Sequence, residues 1–271
     1  MATLTTSRSN PPAIAKMVTQ ALNFLIPPVV CTGVALGIWE AICRGRQDLL
    51  PAPSLVIAQT TSTILEGFDE GGIWWQLFES LKRVGIGYSL AAVLGIMLGV
   101  AIGVNKFLRQ GTDPMVQILR TVPPLAWLPL SLAVFKDSRP AALFLIFITA
   151  IWPILINTAV GVQQIPKDYN NVAKVLRLSG KEYFFSILIP STVPYIFTGL
   201  RIGVGLAWLA IVAAEMLASG ADGIGAFIWN EYSAKLDDSL SKIILAVFCV
   251  GVVGLILDRI VGWLGSLVVS E

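Results

Sequence analysis

Arg201 stands eleven residues past Pro190, in an apolar run that reaches Met216. At 1.5 Å per helical residue it lies about 16 Å into a span, near the middle of a bilayer. An arginine there costs roughly 2.5–3.5 kcal/mol on insertion scales unless it meets water or a partner. Its chemistry is the attraction of anions. It either faces an anion pathway or is pinned to the carbonyls or a carboxylate of a neighbouring helix. Trp208 and Glu215 follow at successive steps of seven, nearly on one helix face, and Glu215 is too far along to neutralise Arg201. Arg120 precedes Pro123, Pro124, Trp127 and Pro129; it is a second candidate contact for an anion, or it snorkels at the start of a span. Asn157 reads as an interhelical hydrogen bond, and Asp258 with Arg259 as an interfacial pair.

Other chemistries are absent from the residue list. There is no His, and the three cysteines, Cys31, Cys43 and Cys249, are far apart in sequence, so neither a zinc spacing nor a disulfide framework is available. Gly180-Lys181 is followed by Glu182, with no Gly five residues earlier, which is not a phosphate-binding loop. The 19 Lys+Arg against 17 Asp+Glu are too balanced for a nucleic-acid binder. With 55% hydrophobic and only 13% charged residues, the 271-residue chain is a membrane protein.

The elements that must position these residues are membrane helices of about 20 apolar residues. Six are expected: Phe24 to Cys43, Val84 to Val104, Thr121 to Phe135, Ala141 to Val162, Pro190 to Met216 and Ile243 to Leu264. The third is short and holds three prolines, which predicts a broken or tilted helix buried among its neighbours. Residues 1–23 read as an N-terminal segment before a retained first helix. The longest connection, Arg44 to Arg83, carries an acidic patch of Glu66, Asp69 and Glu70; Gly220, Gly223 and Gly225 mark a turn in the acidic Leu217 to Lys242 loop. Lys and Arg are nearly evenly split between the two sides, so their count barely decides orientation. Gly95/Gly99/Gly103, Gly33/Gly37 and Gly199/Gly203 repeat at four-residue steps, a spacing for close helix packing within the chain or for a dimer seam.

From Pro166 to Pro190 the spacing is again helical. Val172, Val175 and Leu176 form an apolar face, and Lys174, Arg177 and Lys181 a basic one. The pattern alone predicts an amphipathic helix on the membrane surface, which a plain interfacial connector also satisfies.

This stretch resembles the loop that defines permease subunits of ATP-binding-cassette importers: Glu-Ala-Ala, three residues, Gly, nine residues, Ile-x-Leu-Pro. Asn171-Val172-Ala173 takes the first position, Arg177 falls where the Gly belongs, and Ile187-Leu188-Ile189-Pro190 closes the pattern. Arg177 thereby places a charged, helical residue where the pattern has a flexible turn. Leu49 to Ser54, Ser80 to Gly103, Leu119 to Leu130, Trp152 to Val162 and Thr198 to Met216 are each similar to the nitrate, sulfonate and taurine branch of these permeases.

The resemblance implies an all-α membrane protein of six transmembrane helices, with the type I importer permease fold in 24–271 and a cytoplasmic coupling loop over 161–189. It implies an inner-membrane location with both termini cytoplasmic. A coupling helix of about Asn171 to Lys181 would seat in an ATPase through Asn171, Val172, Ala173, Lys174, Val175, Leu176, Arg177, Gly180 and Lys181. Arg120, Pro124, Trp127, Arg201, Trp208 and Glu215 are expected along the translocation pathway. The implied partners are a second permease copy, two ABC ATPase subunits that carry the ATP and Mg, a solute-binding protein or domain, and membrane lipid, with no cofactor on this chain. The implied cargo is a small oxyanion, nitrate or nitrite foremost, with bicarbonate or a sulfonate such as taurine as the alternative. A secondary transporter or channel is the more remote reading, because the two halves show no convincing repeat.

Overall fold

The structure is a computed structural model that describes residues 13–44, 50–65, 72–218 and 222–268. The first twelve residues, the acidic patch of Glu66, Asp69 and Glu70, and Gly220 lie outside the described residues. Helices and their connections make up the rest, with no strand among the described residues. Five helices are long and apolar enough to cross a membrane, and there are six crossings if one bent pair counts as a span. The chain divides into two units, Met1–Gln59 and Thr60–Glu271.

In the first unit, α1 (Ala13–Cys43) begins well before the expected Phe24 and runs through Pro27 and Pro28. Glu40 near its end accepts hydrogen bonds from Ser54 N at 3.1 Å and Ser54 Oγ at 2.8 Å. A carboxylate thus sits at the positive N-terminus of α2 (Pro53–Leu65).

The second unit is organised around α3 (Ile73–Val104), α6 (Ser138–Gln163) and α9 (Ile189–Leu217). Ile146, Ile154 and Ile211 are fully buried where the three meet. The glycine rows make this contact possible. A Cβ added at Gly99 would stand 2.6 Å from Cβ of Thr158, and one at Gly103 2.6 Å from Cβ of Val162, both on α6. Gly199 and Gly203 of α9 meet the Ala150 to Asn157 stretch of the same helix. Both rows therefore serve packing within the chain, where small residues let backbones approach in lipid.

Helix α3 starts eleven residues before the expected Val84, because Glu79, Ser80 and Arg83 continue its buried face. The third expected span, Thr121 to Phe135, is broken at Val122-Pro123 into a 3₁₀ turn Pro124–Ala126 and α5 (Trp127–Phe135); α4 (Lys106–Thr121), almost wholly before the expected bounds, forms a bent pair with it, with 91° between the two arms. Pro123 and Pro124 have no N–H to continue the ladder, and a residue before proline is driven from helical to extended backbone. At nine residues, about 13 Å, α5 is too short to cross alone.

The surface loop corrects one expectation. Instead of a single helix over Asn171 to Lys181, α7 (Lys167–Val175) ends and a separate α8 (Gly180–Tyr183) begins. Arg177, expected to be helical, is left-handed at φ 50°, and Leu178 N donates to Ala173 O at 3.0 Å to close the α7 terminus. Ser179 and Glu182 exchange a capping box that restarts the helix. A π-helical turn, Phe184–Leu188, joins α8 to α9. Beyond α9, α10 (Ile224–Ala234) and α11 (Ser239–Val268) pack back against it.

Candidate functional site

The proline break between α4 and α5 opens a cavity of about 310 Å³ lined by Arg120, Pro124, Trp127, Thr149, Trp152 and Leu206, among others. Three expected pathway residues, Arg120, Pro124 and Trp127, come together here. Arg120 is held at the last turn of α4, where it complements the negative C-terminus. Among the described residues it has no carboxylate within 4 Å. A cation free of a counter-ion, set beside two indoles in an open cavity, is able to receive a small anion. Thr149 and Trp152 escaped the sequence reading because they sit in an apolar run; Pro153 after Trp152 was the available signal, since a proline inside α6 leaves the Thr149 carbonyl without its helical N–H donor.

Arg201 has a different setting. Its Nε and Nη2 donate to Oδ1 and Oδ2 of Asp258 on α11 at 2.5 and 2.6 Å, a bidentate pair. The arginine is pinned to a carboxylate, one of its two expected alternatives. Asp258, expected beside Arg259 as an interfacial pair, spends its carboxylate on Arg201 instead. The Arg201 and Asp258 side chains nevertheless stay 52% and 34% exposed in the single chain.

Trp208 and Glu215 do not share that exposure; both are 2% exposed. Trp208 Nε1 donates to Val250 O on α11 at 2.9 Å. Glu215 lies at the other end of α9, accepting from Arg83 Nη1 and from Ser80 Oγ, each at 2.7 Å, and from Gly225 N at 3.1 Å. Ser80 Oγ in turn accepts from Ile224 N at 2.9 Å, Gln76 Oε1 accepts from Gly223 N, and Arg83 also donates to Asp222 O. This knot ties α3 and α9 to the loop before α10. The heptad steps put the three residues on similar headings, but the neighbours change along α9, so they reach different surroundings. Gln76, Ser80 and Arg83 were missed because their polarity reads as loop. Glu215 inside a span demanded a cation, and Arg83, at the matching end of the antiparallel α3, was the available partner.

On the surface loop, Ala173 is buried while Val172, Val175 and Leu176 are exposed, Val175 to 82%. Lys174 belongs to the last turn of α7 and Asn171 to its middle, whereas Gly180 and Lys181 open α8 and Arg177 sits in the turn between. Tyr183 OH donates to Asn170 Oδ1 at 2.6 Å and bridges the two helices. The expected coupling residues are thus spread over a helix–turn–helix that leaves Val172, Val175 and Leu176 exposed among the described residues.

The family of binding-protein-dependent transport system inner membrane components matches residues 91–269. The chain is 59% identical over 254 residues to the nitrate import permease protein NrtB of Synechococcus elongatus, covering 91% of each. It is 50% identical over 251 residues to the bicarbonate transport system permease protein CmpB of Synechocystis sp., covering 90% of this chain and 89% of that one. Among solved structures, the inward-facing MetNI methionine ABC transporter is similar in fold, with a TM-score of 0.55 at 17% identity over 78% of this chain and 98% of that one. Taken with the apolar helices and the surface loop, these matches make the chain a multi-pass inner-membrane permease, a member of the family of inner membrane components of binding-protein-dependent transport systems.

Proposed function

We propose that the chain is the membrane-spanning subunit of an ATP-driven importer of a small oxyanion, nitrate or nitrite. The observation that carries the cargo is the order of the similarities, 59% identity to a nitrate permease against 50% to a bicarbonate permease. The unpaired Arg120 beside Trp127 and Trp152 supports it, since a cationic contact lowers the barrier to an anion in a low-dielectric path. The chain carries no ATPase motif and relies on two ABC ATPase subunits with their ATP and Mg. These meet the exposed side of α7 and the turn at Arg177, which puts the 161–189 loop and both termini on the cytoplasmic side. Two permease copies make one transporter, one coupling loop for each ATPase, and a solute-binding protein or domain docks on the Leu217 to Lys242 side. ATP-driven closure of the ATPases rocks the two permeases between inward- and outward-open packings.

The test is uptake by the complete complex in proteoliposomes, with its binding protein, given nitrate, nitrite, bicarbonate and taurine in turn. ATP-dependent accumulation of nitrate or nitrite, with the other two left outside, is the expected result. Import of bicarbonate or taurine alone would overturn the cargo while leaving the permease assignment in place.

A further inference from the structure

Arg201 and Asp258 sit on two long, largely apolar helices, whose other charged residues are Glu215 on α9 and Lys242 and Arg259 on α11. Arg201 is the thirteenth residue of α9 and Asp258 is ten residues before the last described residue of α11, so both lie well inside helices long and apolar enough to cross a membrane. Pairing with Asp258 uses two of the five guanidinium N–H donors. The other three have no partner among the described residues, and the side chain is half exposed. Lipid tails offer nothing to such donors, and unsatisfied polar groups are not tolerated against hydrocarbon. The exposed face of α9 beside it carries Thr198 and Gly205 together with Ile202, Leu206 and Leu209, and Gly262 on α11 flanks the guanidinium, where a Cβ would stand in ordinary van der Waals contact 3.8 Å from Cζ. The free donors on this mostly apolar face therefore need water or a polar partner, and a pair that meets water is one that an anion can enter.

We infer that Asp258 is the resident counter-ion of the transport path: it holds Arg201 while the path is empty and yields the guanidinium to a passing monovalent oxyanion. Arg201 is then a contact for the cargo and Asp258 its positioning residue. The pair is neutral at rest, so the path does not trap anions. A planar oxyanion presents two acceptor oxygens to the same fork that the carboxylate occupies, and the carboxylate recaptures the arginine once the anion moves on. Permanent removal of the carboxylate leaves a bare cation that binds anions too well to release them. This rests on the oxyanion-importer reading above.

The melting measurements use the purified permease–ATPase complex without its binding protein, and transport is measured in proteoliposomes with the binding protein added back. Melting is followed in sodium nitrate against sodium gluconate at equal ionic strength for wild type, Asp258→Asn and the Arg201→Gln/Asp258→Asn double variant. Asp258→Asn is expected to gain a nitrate-dependent rise in melting temperature, half-developed at a nitrate concentration at least tenfold below that of wild type, since a ligand that binds only the folded state stabilises it. The double variant, neutral and still able to hydrogen-bond, is expected to lose the response and to transport at less than a tenth of the wild-type rate while keeping its assembly. Equal nitrate responses in all three proteins, or wild-type transport by the double variant, would overturn the inference. Disassembly of the double variant without any anion response in Asp258→Asn would also overturn it, and would assign the pair to a surface covered by the second copy. A nitrate response in Asp258→Asn from a system that imports only bicarbonate keeps the inference and removes the cargo reading. Nitrate import with no such response does the reverse.

Discussion

Glu215 shows how a single buried carboxylate can organise one end of a helical bundle. Its oxygens satisfy Arg83, Ser80 and the Gly225 amide, and the backbone opposite is shaped to admit it. Gly223 has a φ of 122°, a conformation that glycine adopts without steric cost, and a Cβ there would run into the carboxylate itself. Removing one partner of a buried ion pair is costly because the other charge remains, about 3–5 kcal/mol. Glu215→Ala is therefore expected to lower the melting temperature of the detergent-purified permease sharply and to cut its yield; an unchanged melting curve would mean that water already satisfies Arg83. Glu215 was legible from sequence as a residue needing explanation, but not as a structural one. A carboxylate one heptad beyond Trp208 looks like part of a pathway until the neighbouring helices are known, and a sequence does not state which helices those are.

At the level of helices, hydropathy located the crossings well because the bilayer imposes a length and a composition. It failed where polar residues are paired rather than solvated: residues 73–83 read as loop, yet they continue α3 because Ser80 and Arg83 find their partners on α9 and in the loop before α10. The glycine spacing was readable, and its use can be tested. Gly99→Ala presses a methyl against Thr158 and Leu155 O and is expected to cost about 1–3 kcal/mol. Gly85→Ala in the same helix meets nothing within 4 Å and is expected to be neutral or to stabilise by up to about 1 kcal/mol. Thermal melts of the two variants moving together would contradict this packing scheme. The proline-broken third span was legible too, but its right-angled bend was not, since proline forbids a continuous helix without dictating the angle that replaces it. For the surface loop, the amphipathic spacing gave the apolar face and missed the turn. Arg177 is left-handed at a position where the resembled pattern has Gly, and such a conformation costs a non-glycine residue roughly 1–2 kcal/mol. Arg177→Gly is expected to leave the melting temperature unchanged or higher, and Arg177→Val to lower it by crowding a branched Cβ into the turn; the reverse order would show that the arginine makes a compensating contact with its ATPase.

For the molecule as a whole, the α7–α8 loop of one chain exposes one patch of apolar side chains, whereas cassette ATPases work in pairs, and closed two-fold symmetry is the simplest arrangement that serves both. Native mass measurement of the assembled transporter is expected to give two permeases with two ATPases; one permease per two ATPases would exclude the symmetric assembly. The candidate path was only partly legible. Arginines in apolar runs announced themselves, but that Arg201 is held depended on Asp258, fifty-seven residues downstream, and that Arg120 meets no carboxylate among the described residues depended on the fold around it. The π-helical turn Phe184–Leu188 bears on how such a chain can change over generations. It accommodates one residue more than an α-helical turn at the same place, and it begins inside the nine-residue interval that separates Arg177 from Ile187. Loss of a single codon there would convert the turn to regular helix and swing everything before it by about 100° relative to α9. The exposed face of α7 would point elsewhere although every remaining side chain was unaltered. Substitutions in this interval leave that register intact; single-codon insertions and deletions do not.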